Sequence, residues 1–226
     1  MAARTRLIAL GDTHGDMLDK RAWARAMEFI RDFKPDIRIH LGDAFDLRWL
    51  RRAADRDEKE QRIDEDMDAG IALLAEYKPH YWIWGNHEDR LERTLHCSVG
   101  HLRELAGRIH QDMLAAAGDA KIFTYSRTNK GILRLAKWKF IHACARGINA
   151  TRDLAMRYGD VIHGHTHRLE RITAPTWPPS TGIAAGTLAK LEMDYDKANL
   201  GANAHVHGLV YGEIVGGRLQ PQLLAL

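Results

Sequence analysis

Aspartate, histidine and asparagine recur in this chain at the ends of short apolar runs. Asp12 and His14 stand in Gly-Asp-Thr-His-Gly-Asp, Asp43 and Asp46 in Gly-Asp-Ala-Phe-Asp, Asn86 and His87 in Gly-Asn-His-Glu-Asp, and His165 and His167 in Gly-His-Thr-His; His142 closes a further apolar run. Carboxylate, imidazole and amide oxygen suit Mn²⁺, Fe or Zn rather than a thiolate-seeking ion. Thirteen histidines stand against two cysteines, Cys97 and Cys144. A metal here must therefore be held through nitrogen and oxygen, and neither a disulfide framework nor a cysteine-rich zinc module is available. If each apolar strand continues through its polar residues, positions two apart face the same way, so Asp12 with His14, and His165 with His167, aim at a shared site. A carboxylate can bridge two ions through its two oxygens, and two ions roughly 3.5–4 Å apart form the clamp used for in-line displacement at phosphorus.

The elements that must present these residues are legible around them. Leu7–Leu10 runs into Gly11-Asp12, Ile37–Leu41 into Gly42-Asp43, Tyr81–Trp84 into Gly85-Asn86 and Val161–His163 into Gly164-His165. Each run reads as a buried strand stopping at a tight turn. Between the first two, Trp23, Met27 and Ile30 recur at helical spacing within Asp19–Phe33, and Pro35 ends that helix. Strand, turn and helix in repeated order predict an α/β fold with polar groups at the carboxyl ends of the strands, the edge where open α/β sheets bind ligands. A charged helical segment is expected over 47–77 and a second helical segment over 90–117. From Gly131 to His142 the alternation predicts strands, Asn149 caps a helix closed by Gly159, and further strands are expected at Ile183–Ala185, Ala204–Ile214 and Leu219–Leu224. No linker composition divides the chain, so one domain spanning 1–226 is expected.

Taken in order, the five polar motifs resemble the signature of the calcineurin-like metallophosphoesterases. Each motif alone is weak, and together, each after an apolar run, they are specific. The resemblance implies a four-layer α-β-β-α sandwich, two mixed β-sheets flanked by helices, with a dinuclear metal site among the loops. It implies Asp12, His14 and His167 on one metal, Asn86, His142 and His165 on the other, and Asp43 bridging both. Mn²⁺ is the first expectation for the two divalent ions, with Fe, Zn or Ni as alternatives. The family mechanism is hydrolysis of a phosphoester by a hydroxide shared between the metals, attacking in line. His87 then stands near the leaving-group oxygen, oriented by Asp46. Protein Ser/Thr phosphatases and the bacterial dinucleotide-cleaving relatives carry Asp-Arg-Gly where this chain has Asp46-Leu47-Arg48. That departure weakens a protein-phosphatase reading and favours a phosphodiester substrate of nucleotide or nucleic-acid type, with Arg48 and Arg90 as candidate phosphate contacts. The alternatives are a phosphomonoesterase and a non-catalytic binding module on the same fold.

The remaining composition is permissive. Of 226 residues, 45% are hydrophobic and 28% charged, with a net charge of +3. That argues against disorder as the main state and does not itself point to nucleic acid. The apolar runs are too short to cross a bilayer and the first residues lack a signal-peptide stretch, so a cytoplasmic location is expected. The acids and bases of Arg51–Asp68 read as a solvated helix face.

Overall fold

A computed structural model of the chain describes residues 4–51, 62–125, 131–145, 147–192 and 204–226. Residues 52–61, within the charged segment expected over 47–77, lie outside the described residues.

Two mixed sheets are stacked face to face. The first runs β11-β10-β1-β2-β3-β4 and the second β5-β6-β7-β9-β8. In the first, β1 (Thr5–Leu10), β2 (Ile37–His40), β3 (Tyr81–Ile83) and β4 (Lys121–Phe123) are parallel. The hairpin of β10 (Gly208–Val215) and β11 (Arg218–Ala225) pairs antiparallel with β1. In the second sheet β6 (Trp138–His142), β7 (Val161–Gly164) and β9 (Ser180–Ala185) are parallel, flanked by antiparallel β5 (Leu133–Leu135) and β8 (Leu169–Ala174).

Strands buried on both faces must be apolar on both, which is why β1 reads as an unbroken run. Its alternate residues part company: Leu7 and Ala9 join Ile39, Leu41, Ile83, Phe140, Ile162 and Ile183 between the sheets, whereas Ile8 and Leu10 pack beneath the outer helices. Those helices are α1 (Lys20–Phe33), α2 (Ile63–Tyr77), α3 (Asn86–Thr94) and α4 (Gly100–Ala117). Helix α1 starts on Asp19, whose carboxylate accepts the N–H groups of Arg21 and Ala22 at 2.9 Å, and it buries Trp23, Met27 and Ile30. Helix α5 (Ala150–Tyr158) covers the far side of the second sheet through Leu154 and Ala155. The result is the four-layer α-β-β-α order. No helix among the described residues is long and apolar enough to cross a membrane.

The helical segment expected over 90–117 is two helices. Helix α3 ends at Thr94 and α4 begins at Gly100, separated by turns in which His96 and Cys97 N–H groups bond to Arg93 and Thr94 carbonyls. Cys97, Ser98, Val99 and Gly100 are weak helix formers, and nothing in the pattern of apolar residues compensates them.

Candidate metal centre

The loops that leave β1, β2, β3, β6 and β7 meet at one edge. Asp12 N–H donates to the Gly42 carbonyl, His14 N–H to the Asp43 carbonyl, and His165 N–H to the Asp12 carboxylate at 2.9 and 3.0 Å. The Asp12 carbonyl accepts Thr187 Oγ1–H and the N–H groups of Leu188 and Ala189, an anchor that no sequence pattern announces. Strand β1 ends at Leu10, so Asp12 and His14 do not converge by strand alternation as expected. They converge because the backbone is left-handed at both, with φ near 51°, as it also is at Asp43, His165 and His167. Non-glycine residues adopt this region rarely and at a cost, and such positions concentrate at functional sites.

Glycine leaves the room these side chains need. A Cβ on Gly85 would sit 2.0 Å from Asp43 Oδ1, one on Gly42 would sit 2.6 Å from His142 Nδ1, and one on Gly164 would sit 2.6 Å from Asp12 Oδ2.

Among the described residues three groups of donors form, each with its ligand atoms within 4.8 Å of one another: Asp12, His14 and His167; His14, Asp43 and His87; Asp43, His142 and His165. Asp43 Oδ2 lies 3.2 Å from His142 Nε2, 3.7 Å from His87 Nε2 and 4.0 Å from His14 Nε2. His14 Nε2 lies 3.1 Å from His167 Nε2, which is 3.4 Å from Asp12 Oδ1. Asn86 Oδ1 is 3.1 Å from His142 Nε2, and the His142 and His165 rings are 5.2 Å apart between centroids. All seven expected ligands are thus at one place, with His87 and Asp46 beside them.

The donor set fits cations. His142 Nδ1 faces the Leu41 carbonyl at 2.9 Å and so carries a proton, which turns Nε2 toward the interior of the site. Nε2 lies between two oxygen acceptors, Asp43 Oδ2 and Asn86 Oδ1, so it needs a positive charge there: a proton in the metal-free protein, which a bound cation would displace. Likewise His14 donates Nδ1–H to Asp46 Oδ1 at 2.9 Å, leaving Nε2 free toward His167. Such a fixed tautomer is the usual arrangement of a metal-binding histidine. His167 Nδ1 is buried without a hydrogen-bond partner.

Electrostatics point the same way. Burial alone would raise the pKa of Asp12, but the hydrogen bond and charge of His167 bring it down to about 2. Burial likewise opposes ionisation of Asp43, where His142 and His87 hold the carboxyl well below its ordinary range, and of Asp46, where His14 and His87 do the same. Burial disfavours the charged ring of His142, yet Asp43 and Asp12 outweigh it and lift its pKa to about 9. At His165 burial and the neighbouring His142 lower it to about 3. His87 is pulled down by burial and more strongly up by Asp43 and Asp46. His40 and His163, which precede motif glycines, are fully buried and outside the donor groups, bonded to Thr13 and Thr151.

Two carboxylates hold the loops from behind. Glu88 is fully buried and accepts the N–H groups of Gly85, Asp43, Ala44 and Phe45. Asp66, read as part of a solvated face, is also buried and accepts the N–H groups of Asp46 at 2.9 Å and Leu47 at 2.7 Å. Asp46 Oδ1 touches both His14 Nδ1 and, at 3.2 Å, His87 Nδ1, whose hydrogen bond is to the Asp46 carbonyl, so Asp46 orients two rings where one was expected.

Of the two arginines expected at the substrate, only Arg90 is placed for it. Its Nη2 lies 3.0 Å from His87 Nε2 at the rim of the site. Arg48 is buried, donating Nη1–H to Asp46 Oδ2 at 2.7 Å and Nη2–H to Asp16. With both carboxylates engaged and the side chain 8% exposed, its guanidinium is committed to an ion-pair network behind Asp46.

Comparison with known proteins gives a consistent result. The model of the family described as calcineurin-like phosphoesterase matches residues 5–169. The chain is 28% identical over 193 residues to the gene 54 protein of Mycobacterium phage D29, spanning 76% of this chain and 72% of the phage protein. Its fold is similar to that of a metallophosphoesterase from Sphaerobacter thermophilus, with a TM-score of 0.50 at 14% identity, covering 98% of this chain and 88% of that one.

Proposed function

Since the chain belongs to the calcineurin-like phosphoesterase family, we propose that it is a dinuclear-metal-dependent phosphoester hydrolase with a preference for phosphodiester or nucleotide-type substrates. The observation that carries the reading is Asp43: one buried carboxylate in reach of donors from both sheets, with a full set of nitrogen and oxygen ligands on either side of it. Asp12, His14 and His167 would hold one ion and Asn86, His142 and His165 the other, sharing Asp43. Two divalent ions, Mn²⁺ first among those the donors suit, would supply Lewis acidity toward the phosphoryl oxygens and a water acidic enough to attack at neutral pH.

The protein's own groups supply the rest. Asp46 holds His87 through Nδ1, and Asp43 and Asp46 together favour the imidazolium, which leaves an Nε2–H aimed into the site. That proton is available to a departing oxygen, a contribution worth about 10²–10⁴ in rate. With His87 charged, its Nε2–H and the Arg90 guanidinium are donors facing one space, and an anionic substrate oxygen is the acceptor that satisfies both. The preference for a diester follows from counting cations. Among the described residues Arg48 is committed to Asp46 and Asp16 and Arg90 lies at the rim to offset substrate charge, which suits a monoanionic diester better than a dianionic monoester.

The test is Mn²⁺-dependent turnover of bis(p-nitrophenyl) phosphate against p-nitrophenyl phosphate. Faster diester hydrolysis that Asp43→Asn abolishes in a folded protein is the expected result. A strong preference for the monoester would replace the proposal with a phosphomonoesterase, protein phosphatases included. Failure of the fully metal-loaded protein on both would leave a binding module.

A further inference from the structure

Helix α2 closes over the ligand loops from outside, and two glycines let it in. A Cβ on Gly15 would lie 1.8 Å from Asp66 Oδ1, and a Cβ on Gly70 of α2 would lie 2.3 Å from the Phe45 ring. Asp66 thereby reaches the turn that follows the Gly-Asp-Ala-Phe-Asp motif. Leu47 is left-handed there, with φ 46°, and the consecutive N–H groups of Asp46 and Leu47 both point to the Asp66 carboxylate. Its two oxygens take one N–H each. Asp46, fixed at its own backbone in this way, holds Nδ1 of His14 through its carboxylate and Nδ1 of His87 through its carbonyl, with the carboxylate 3.2 Å away.

An acid is an expensive choice for this position. Asp66 is 4% exposed, Asp16 and Asp46 add repulsion, and its pKa is pushed up to about 6, mainly by burial. A neutral side chain would avoid the desolvation of a charge. Residues that break the local rule in this way cluster where function needs them.

Resting on the metal-dependent reading above, we propose that Asp66 is a positioning residue: by clamping the backbone of Asp46 and Leu47 from α2, it fixes the carboxylate that orients His14 and His87. The segment between β2 and β3 is thereby tied both to metal affinity and to proton delivery. Asp66 touches neither metal nor substrate and acts through Asp46.

Asp66→Asn keeps one acceptor and replaces the other with a donor that opposes an N–H. Three measurements on the full chain decide the matter. Calorimetric titration of the chelated protein with Mn²⁺ should show the affinity of one site reduced about tenfold, the lower end for groups behind a ligand. Turnover should fall more for an alkyl phosphodiester, whose leaving group needs a proton, than for the p-nitrophenyl diester. The melting temperature at pH 7 should be equal to or above that of the parent. Unchanged Mn²⁺ affinity together with an unchanged ratio of the two rates would overturn the proposal. If Asp66→Asn does not fold, Asp66→Ser, smaller and able to accept one N–H, is read by the same titration; unfolding of both assigns Asp66 to stability alone and overturns it as well. The titration needs no turnover, so an inactive parent protein would defeat the proposed hydrolase without deciding this point.

Discussion

Replacing Arg48 separates a structural cation from a substrate contact. Arg48→Met keeps the aliphatic stem and removes the guanidinium, leaving Asp46 without its cation in a fully buried position and Asp16 without one at 21% side-chain exposure. Removing one partner of a buried ion pair costs about 3–5 kcal/mol, because the other charge stays desolvated. Asp16 regains some water and Asp46 keeps His14 and His87, so the lower end, about 3 kcal/mol, is expected. At about 2.1 cal/mol/K per residue the 226-residue chain unfolds with an entropy near 0.5 kcal/mol/K, which converts the loss to about 6 °C in Tm. Differential scanning calorimetry of the chelated protein at pH 7 measures this directly, and steady-state kinetics on the Mn²⁺ form supplies KM. KM should stay within about twofold. Asp16→Asn in the Arg48→Met background should restore part of the loss, because it removes one of two carboxylates that repel across the vacated position, and the cycle of four proteins isolates that coupling. A Tm within 1 °C of the parent combined with a tenfold rise in KM would refute the argument and return Arg48 to the substrate.

His87→Ala should retain two metal ions per chain by elemental analysis while turnover of poorly activated diesters falls about 10²–10⁴-fold, with a smaller loss for p-nitrophenyl esters. Gly85→Ala places a methyl against the Asp43 carboxylate and should lower metal stoichiometry more than it lowers Tm, since the collision falls on the shared ligand. Asp66 gives a pH signature in the chelated protein. Its folded pKa of about 6 lies above the ordinary 3.8, so its contribution is fully present below pH 4 and is lost as the pH rises through 6, by about 3 kcal/mol. Melting curves at pH 4 and pH 7 should therefore show Asp66→Asn gaining on the parent at the higher pH, and parallel curves would contradict the assignment.

What could be read from the sequence follows from what burial imposes on it. The strands before Gly11, Gly42, Gly85 and Gly164 are covered on both faces and must be apolar throughout, so their ends, and the ligands after them, stand out. Strand β8 was invisible for the opposite reason: an edge strand with Glu170 and Arg171 pairs only with β9 and carries no apolar alternation. Asp66 and Arg48 were misplaced because charge predicts exposure, and their burial depends on partners brought from other loops. The left-handed backbone at Asp12 and His14 was equally hidden, since hydrogen bonds to Gly42 and Asp43 from a neighbouring strand end impose it.

The donors also span the seam between the sheets: His14 from the first faces His167 from the second, 153 residues along the chain, and Asn86 faces His142 across 56. A metal ion held by both members of such a pair is a removable cross-link. The unfolded chain does not keep the site, so the ion would stabilise the folded state through its binding free energy, about 4 kcal/mol at a thousandfold excess over Kd. Cys97 and Cys144 form no disulfide, so metal availability rather than a covalent link would set how firmly the two sheets are joined.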